Sequence, residues 1–349
     1  MNPKISIIIP ILNAKTYIKE CLDSVINQSL KDIEILCVDA NSNDGTLEIL
    51  KDYMSKDNRI KLIISDKKSM GYQYNLGIKQ AKGEYIGFVE SDDYIKENMY
   101  ERLLSVAKEQ NVEVVKGDIL EFKDSRKKRI FKYRSTCDDK FYDRLLNPNE
   151  EVSILAKSTI MNQSGIYKLS FIKENDILLN ETPGASYQDT GFFYQVFILA
   201  KSAYLIKEPF YMYRKDNPNS SVNDKTKVFT LCYEYEFIDE FLNKHKALKE
   251  KFNPALIYRK FSNYMWNFNR IDRKFQLDFL EKFRNEFKDL EASGKLDLQF
   301  FGPVRLREIK LLLHSKEEFY QKYLNGLSFF GRFRKAIYRI FRKLKTKEI

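Results

Sequence analysis

The sequence lacks features that would assign it to several protein classes. It contains no run of about 20 apolar residues, the length that a membrane-spanning helix needs, so no such helix is expected. The chain starts directly with an apolar, strand-like segment, which predicts no signal peptide. Histidine occurs only twice, as His245 and His314, and both lie in charged helical stretches outside any site motif. No histidine is therefore assigned as a metal ligand.

Cysteine is also scarce. The four cysteines are spaced in no metal-binding pattern and stand at positions 21, 37, 137 and 232. Cys21 and Cys37 lie in segments with the apolar character of a core. We therefore expect free thiols and a reducing, cytoplasmic location.

The overall composition is that of an ordinary globular protein. The 349 residues, 43% apolar and 31% charged, are enough for two or three domains. The net charge of +11 is unevenly distributed, because residues 331–349 carry eight basic side chains and one acidic side chain. That tail contributes +7 and the rest of the chain only +4.

Apolar strand-like and helix-like segments alternate through the first third of the chain. Strands are predicted at residues 4–10, 33–38 and 60–65, and a fourth begins at residue 84. The segments between them carry apolar residues at helical spacing. This order predicts an α/β fold with a doubly wound, mostly parallel sheet.

The fourth predicted strand ends in a cluster of acids. Glu90, Asp92 and Asp93 follow the apolar segment 84–89 directly. Three carboxylates so close together repel one another, and a divalent cation such as Mg²⁺ or Mn²⁺ would relieve that repulsion. Ligands of open α/β sheets bind at the carboxyl ends of the strands. The alternative is a solvated acidic turn that caps the next helix.

Short motifs in a fixed order strengthen the functional interpretation. They are Ile-Pro-Ile-Leu-Asn (9–13), Cys-Leu-Asp-Ser-Val (21–25), Asn-Gln-Ser (27–29), Ile-Glu-Ile (33–35), Val-Asp (38–39), Ser-Asn-Asp-Gly-Thr (42–46), Asn-Leu-Gly-Ile (75–78), Ala-Lys-Gly-Glu-Tyr-Ile (81–86) and Glu-Ser-Asp-Asp (90–93). With these motifs, the first 100 or so residues resemble a family 2 glycosyltransferase of the GT-A fold, of the bacterial surface-glycan type.

The resemblance implies a set of donor-binding residues. The residues expected to bind the nucleotide-sugar are Pro10, Asn13, Asp39, Asn75, Glu90, Ser91, Asp92 and Arg214. Asp39 would accept a hydrogen bond from the imide of the base. Asp92 and Asp93 are the expected metal ligands, with Asp92 as the main one, and Glu90 would contact the ribose or contact the metal ligands rather than the metal itself.

Three positions depart from the family pattern. Ala40 stands where a second Asp is frequent, Tyr74 where Arg is frequent, and Glu90 replaces the first Asp of the metal motif. Two aspartates also have structural alternatives, because Asp39 and Asp44 both stand in a polar turn before a helix and either one can cap it.

A second acidic position stands at the start of a later helix. Asp189 lies in a polar turn directly before an apolar helical segment. By resemblance, Asp189 is the general base, which takes the proton of the acceptor hydroxyl in an inverting transfer. Gln188 replaces the Glu that relatives have beside this Asp. The alternative is a helix N-cap, and both interpretations are compatible with an ionised carboxylate at a helix N-terminus.

Basic residues near these acids have two possible functions. Arg214 and Lys215 are expected to contact the donor phosphates, unless they belong to a plain surface loop. Residues 123–134 are rich in Lys and Arg and predict a solvated hairpin or loop, with contact to an anionic acceptor as the lesser alternative.

Four regions are predicted. Residues 1–105 form the nucleotide-sugar-binding half of the GT-A domain, residues 106–225 the acceptor-binding half, and residues 226–325 an aromatic-rich helical appendage. Residues 326–349 predict a basic amphipathic helix suited to an anionic membrane surface, or a helix docked on the domain. No recognition motif supports nucleic-acid binding.

We therefore expect a metal-dependent, inverting glycosyltransferase that uses Mn²⁺ or Mg²⁺. It would move a sugar from a nucleotide-sugar, expected to be a UDP-sugar, to a glycan or lipid-linked saccharide at the inner face of the cell membrane. A non-catalytic, membrane-tethered nucleotide-sugar-binding module is the alternative. A nucleotidyltransferase would need a Gly-rich basic loop after the first strand, and a processive synthase a Gln-x-x-Arg-Trp motif; neither is present.

Overall fold

The computed structural model of the protein describes residues 3–328. The chain divides into two compact units, Met1–Leu256 and Ile257–Ile349. The boundaries predicted near residues 105 and 225 fall within the first unit, so the division into donor and acceptor halves stays a prediction. Most of the predicted basic amphipathic helix, from residue 329 onward, lies outside the described residues.

The first unit is built on one ten-stranded sheet. Its strands are β1 (Ile5–Ile11), β2 (Ile33–Asp39), β3 (Ile60–Ile64), β4 (Tyr85–Phe88), β5 (Tyr94–Ile95), β6 (Val114–Asp124), β7 (Arg129–Arg134), β8 (Leu145–Leu146), β9 (Gly165–Lys168) and β10 (Ala203–Arg214). β1 and β2 are buried along their whole length. Their continuous apolar runs suit strands that are covered on both faces.

The sheet order is β3-β2-β1-β4-β9-β6-β10-β5. The first four strands pair in parallel, as predicted, and β6 and β10 are also parallel. β9 runs antiparallel between β4 and β6, and β5 runs antiparallel to β10. The basic segment at 123–134 forms the β6–β7 hairpin, with β7 exposed along most of its length. The α/β class with a doubly wound N-terminal half is therefore confirmed.

Eight helices of the described chain begin and end within the first unit. They are α1 (Ile18–Ile26), α2 (Thr46–Lys56), α3 (Met70–Gln80), α4 (Met99–Gln110), α5 (Ser153–Lys157), α6 (Leu169–Glu174), α7 (Gln188–Leu199) and α8 (Thr230–Asn243). α7 is buried on nearly all sides, and its Tyr194 hydroxyl lies 3.0 Å from that of Tyr235 in α8. Helix α9 (Lys246–Arg270) contains the boundary between the units.

The second unit is helical. Its remaining helices are α10 (Arg273–Ala292), α11 (Pro303–His314) and α12 (Lys316–Ser328). An aromatic cluster forms its core, in which Phe261 and Tyr264 pack on Phe283 at centroid distances of 5.4 and 5.2 Å. The predicted aromatic appendage is thus present. Trp266 is 46% exposed and lies outside this core.

Two further expectations concern the whole chain. All four cysteines are free and buried, as expected. Within residues 3–328, no helix combines the length and the apolar character that crossing a membrane requires.

Candidate active site

The predicted acidic cluster forms at the carboxyl end of β4. Oxygen atoms of Glu90, Asp92 and Asp93 all lie within 4.8 Å of one another. Burial and the charges of Asp92 and Asp189 raise the pKa of Glu90 to about 8. Burial and the other two acids also raise the pKa of Asp93 well above its usual value. The protein therefore holds three mutually repelling carboxyl groups at one point.

Strand β10 and the residues after it hold the acidic loop in place. Asp93, only 1% exposed, accepts hydrogen bonds from the Tyr211 hydroxyl at 2.6 Å and from the Arg214 backbone N–H at 2.7 Å. The side-chain amide of Asn217 donates to Asp92 at 2.7 Å. The loop geometry thus depends on residues almost 120 positions later in the chain.

The three carboxyl groups suit a divalent metal ion. Mg²⁺ and Mn²⁺ prefer oxygen ligands and are often held by one or two carboxylates. Glu90 and Asp92 are partly exposed, whereas both oxygens of Asp93 already accept hydrogen bonds. Asp92 is therefore the most available ligand, and Asp93 also anchors the loop. Ser91 lies between Glu90 and Asp92 in the chain and is partly exposed.

The predicted base pocket lies at the carboxyl ends of β1 and β2. Asp39 is fully buried, and its carboxylate accepts hydrogen bonds from the Ser42 backbone N–H at 2.8 Å and hydroxyl at 2.5 Å. Asn13 has a left-handed backbone, with φ of 52°, and its N–H donates to the Ser42 hydroxyl at 2.8 Å. Pro10 is buried within β1. The structure therefore brings Pro10, Asn13 and Asp39 to one edge of the sheet.

Neither Asp39 nor Asp44 is the N-cap residue of helix α2, although the sequence allowed either one to cap it. Helix α2 begins at Thr46 after Gly45, so Asp39 is too far away to cap it. Asp44 instead accepts hydrogen bonds from the Thr46 N–H at 3.0 Å and hydroxyl at 2.5 Å, which makes it a turn residue.

The departures from the family pattern have local explanations. Tyr74 is 2% exposed and packs edge-on against Phe88 at a centroid distance of 4.7 Å, which makes it a core residue. Ala40 is fully buried, and its N–H donates to the Ile11 carbonyl at 2.9 Å. Neither position offers an additional charge to the site.

Asn75 holds a distant segment. Its amide donates to the Leu179 carbonyl, and its oxygen accepts the Leu179 N–H, both at 2.9 Å. This pair of bonds joins α3 to the chain that leads into α7. Donor contact by Asn75 stays a prediction, since Leu179 occupies both ends of the amide.

Asp189 lies in the first turn of α7. The cap position is Tyr187, with a left-handed φ of 66°, so the structure does not make Asp189 the N-cap. Burial raises the pKa of Asp189 to about 6, although hydrogen bonds and the Lys116 charge oppose the increase. Its charge also contributes to the raised pKa of Glu90. Asp189 and the acidic cluster are therefore electrostatically coupled.

Arg214 has no free guanidinium in this conformation. Its side chain, 4% exposed, forms ion pairs with the carboxylates of Glu20, Asp124 and Asp216. Its Nε donates to the Asp92 carbonyl at 2.8 Å. These contacts suit a residue that holds the acidic loop better than one that reaches donor phosphates. Phosphate contact by Arg214 stays a prediction.

The sequence analysis missed several polar residues around the site. They are Gln73, Lys116, Asn162, Gln163, Tyr211 and Glu234. Lys116 is detectable in principle, because it directly follows Val114 and Val115 in a segment that predicts a strand. Glu234 has no such signal, yet from α8 it accepts the N–H of Gly191 in α7 at 2.8 Å.

Comparisons with known proteins identify related sequences. The sequence profile described as Glycosyl transferase family 2 matches residues 6–169. Glycosyltransferase GlyG of Streptococcus pneumoniae is 28% identical over 301 residues, which is 82% of this chain and 94% of that protein. Poly(ribitol-phosphate) beta-glucosyltransferase of Bacillus spizizenii is 32% identical over 227 residues, 63% of this chain and 34% of that protein.

The fold has a solved counterpart. The structure of S. aureus TarS 1-349 in complex with UDP-GlcNAc aligns with a TM-score of 0.55 and 19% identity, covering 93% of this chain and 92% of that chain. At this identity the similarity concerns the fold, and it agrees with the expected GT-A architecture.

Proposed function

We propose that this chain, whose residues 6–169 match the Glycosyl transferase family 2 profile, transfers a sugar, with inversion, from a UDP-sugar to a hydroxyl of a glycan or lipid-linked saccharide. The observation that carries this proposal is that one buried turn contacts two carboxylate sites. The cluster of Glu90, Asp92 and Asp93 has the ligand chemistry of a metal site, and the adjacent residues Gln163 and Asn162 bond to Glu90 and to the backbone of Asp189.

Each group has a defined chemical function in the proposed reaction. Asp92 and Glu90 would hold Mn²⁺ or Mg²⁺. Glu90 takes the place of Asp93, which was predicted as a ligand, because both oxygens of Asp93 already accept hydrogen bonds that fix the loop. When bound, the ion neutralises charge on the diphosphate leaving group as a Lewis acid. Asp189 takes the proton of the acceptor hydroxyl as that oxygen attacks the anomeric carbon. A pKa of about 6 leaves it ionised at neutral pH.

We place donor binding at residues beside the carboxyl ends of β1, β2 and β4. Asp39 receives the base imide, Pro10 and Asn13 line the pocket beside it, and Ser91 lies next to the ribose and metal. Ser42, which now bonds to Asp39 at 2.5 Å, yields its position when a base binds. A uracil base suits this arrangement because its imide N–H is a donor and Asp39 offers only acceptors.

The acceptor class is supported by the relatives' names. One relative acts on poly(ribitol phosphate), and TarS was solved with UDP-GlcNAc. We assign this chain to surface-glycan synthesis on that basis. Attachment to the inner face of the membrane by residues 326–349 rests on their sequence alone, eight basic and seven large apolar side chains between residues 329 and 347.

Donor turnover tests the proposal. Purified protein with Mn²⁺ is offered UDP-, GDP- and CMP-sugars, with and without glycolipid extracts, and released nucleotide is measured. We expect metal-dependent release from a UDP-sugar and its loss in Asp92→Asn and Asp189→Asn. Asp52→Asn is the matched control, because Asp52 is an exposed acid on α2 that pairs with Lys56. Binding of a donor without release, even with acceptor extracts, would instead support the non-catalytic module.

A further inference from the structure

A buried polar turn lies between the two carboxylate sites. Residues 161–164, here called the polar turn, precede β9 and include the 3₁₀ segment Asn162–Ser164. Asn162 and Gln163 are each 3% exposed and Ser164 is fully buried. Consecutive polar side chains are rarely buried this deeply unless each has a specific partner.

The polar turn contacts both carboxylate sites. The side-chain amide of Gln163 donates to the carboxylate of Glu90 in the acidic loop. The side-chain amide of Asn162 donates to the backbone carbonyl of Asp189 at 2.7 Å. Two adjacent side chains thus join the end of β4 to the start of α7.

Residues of strands β6 and β9 hold the polar turn by hydrogen bonds to its backbone carbonyls. The ammonium group of Lys116, in β6, donates to the Met161 carbonyl, and the Tyr167 hydroxyl of β9 donates to the Asn162 carbonyl at 2.9 Å. Lys116 is 1% exposed, and burial lowers its pKa to about 7. A lysine in the middle of a sheet is costly to bury, so an apolar residue would fill this position better if packing were the only requirement.

The polar turn also leaves two buried groups unsatisfied. Among the residues that the structure describes, the Oδ1 atom of Asn162 and the Oε1 atom of Gln163 are buried without a hydrogen-bond partner. Each such group costs about 1–3 kcal/mol of stability. Sites that need a specific geometry are where proteins retain local costs of this kind.

We propose that the polar turn, anchored by Lys116, is a positioning element that sets the separation of the acidic cluster and Asp189. This inference rests on the proposed function, in which one site holds the metal and the other receives the proton. Gln163 orients Glu90 within the metal site. Asn162 fixes the backbone of Asp189 and thereby the direction of its carboxylate. Neither residue is assigned contact with the substrate.

The two contacts predict separable defects. Gln163→Met removes the donor to Glu90, and we expect Mn²⁺ to bind roughly 10–100-fold more weakly, the usual effect of losing a group that orients a metal ligand. Asn162→Leu leaves Mn²⁺ binding unchanged and lowers kcat, again by roughly 10–100-fold. Lys116→Met removes the anchor and produces both defects.

Two variants control for the loss of a side-chain amide that donates to a backbone carbonyl, one at a buried glutamine and one at an exposed asparagine. Gln276→Met removes a buried glutamine that donates to the Phe268 carbonyl at 2.8 Å in the helical unit. Asn175→Leu removes an asparagine that donates to the Phe171 carbonyl at 2.9 Å after α6. Both are expected to melt at a slightly lower temperature and to keep wild-type Mn²⁺ binding and kcat.

Three measurements decide the outcome: Mn²⁺ binding by calorimetry, sugar transfer against Mn²⁺ concentration, and the melting temperature. The proposal fails if Gln163→Met binds Mn²⁺ as the Gln276→Met control does, or if Gln163→Met and Asn162→Leu lose both properties in parallel. Calorimetry needs no turnover. If wild-type protein releases no nucleotide from any donor, the proposed function fails, while Mn²⁺ binding by Gln163→Met still tests the polar turn.

Discussion

Replacing Arg214 with methionine distinguishes two functions for this residue. The sequence predicts contact with donor phosphates, whereas the structure encloses the guanidinium within the protein. The side chain lies over the rings of Tyr17 and Phe122, each 4.5 Å from its centroid. It also bonds to the carbonyl of Asp92 and to three carboxylates. If those contacts are its function, the variant loses stability and metal affinity together.

The size of the effect follows from the exposure of the partners. Glu20, Asp124 and Asp216 are 37%, 46% and 29% exposed, so each ion pair contributes only about 0.2–1 kcal/mol. The bond to the Asp92 carbonyl adds about 1.5 kcal/mol and the two rings about 0.5–1 kcal/mol each. Methionine regains part of the packing, so we expect a loss of roughly 2–4 kcal/mol and a melting temperature lower by about 5–15 °C.

Arg129→Met is the matched control. Arg129 pairs with the same two acids, Glu20 and Asp124, and also packs on Phe122 at 4.5 Å. Its guanidinium donates to the carboxylates of Glu20 and Asp124 rather than to the Asp92 carbonyl. We therefore expect Arg129→Met to lose about 1–2 kcal/mol of stability and to keep wild-type Mn²⁺ binding. Melting curves and Mn²⁺ calorimetry on both variants provide the comparison.

One result would refute this reasoning. If Arg214→Met melts like the wild type, binds Mn²⁺ normally and only raises the KM for the donor, the guanidinium moves onto the diphosphate during the reaction. The phosphate contact predicted from the sequence would then be correct, and the enclosed conformation would belong only to the protein without donor.

Three further predictions concern single residues. Since a general base must be ionised, the rate of sugar transfer should rise as the pH passes through about 6, the pKa of Asp189. Asp189→Asn should lower kcat roughly 10²–10⁴-fold. A pH–rate profile of the wild type that stays flat through this range would contradict the assignment. Burial raises the pKa of Glu234 to about 8, so the folded state holds a proton that the unfolded state releases above its own pKa of about 4.5. The free energy of unfolding should fall by up to about 1.4 kcal/mol per pH unit as the pH rises between these two pKa values. Urea titrations at several pH values should show a weaker fall in Glu234→Gln. Gly71→Ala places a Cβ 1.9 Å from the Asn180 carbonyl oxygen and should cost roughly 2–4 kcal/mol, whereas Gly302→Ala, with open space around it, should melt like the wild type.

The N-terminal half of the sheet was predictable because its determinants are local. Each strand is a short apolar run followed by a helix with apolar residues at helical spacing, and right-handed crossovers leave few topologies. β9 is different. Its four residues carry no distinctive pattern, and it forms because β4 and β6 offer hydrogen-bonding edges on both sides.

The acidic cluster was predictable for a similar reason. Glu90, Asp92 and Asp93 are nearly consecutive, so their proximity needs only one turn of chain. The groups that hold these acids in place were not predictable, since Tyr211 and Arg214 lie 118 and 121 residues after Asp93. Their contact depends on how β10 pairs with β5 and β6, which no local pattern specifies.

The sequence by itself determined the α/β class, the order of the first four strands and which carboxylates meet at the end of β4, because periodicity and adjacency are properties of short segments. Only the tertiary structure decided how those groups are bonded. It enclosed Arg214, left Asp92 partly exposed and inserted Asn162 and Gln163 between the two acidic sites. Hydrogen-bond partners and burial arise from strand register and packing across the whole unit, and these are decided only when distant segments meet.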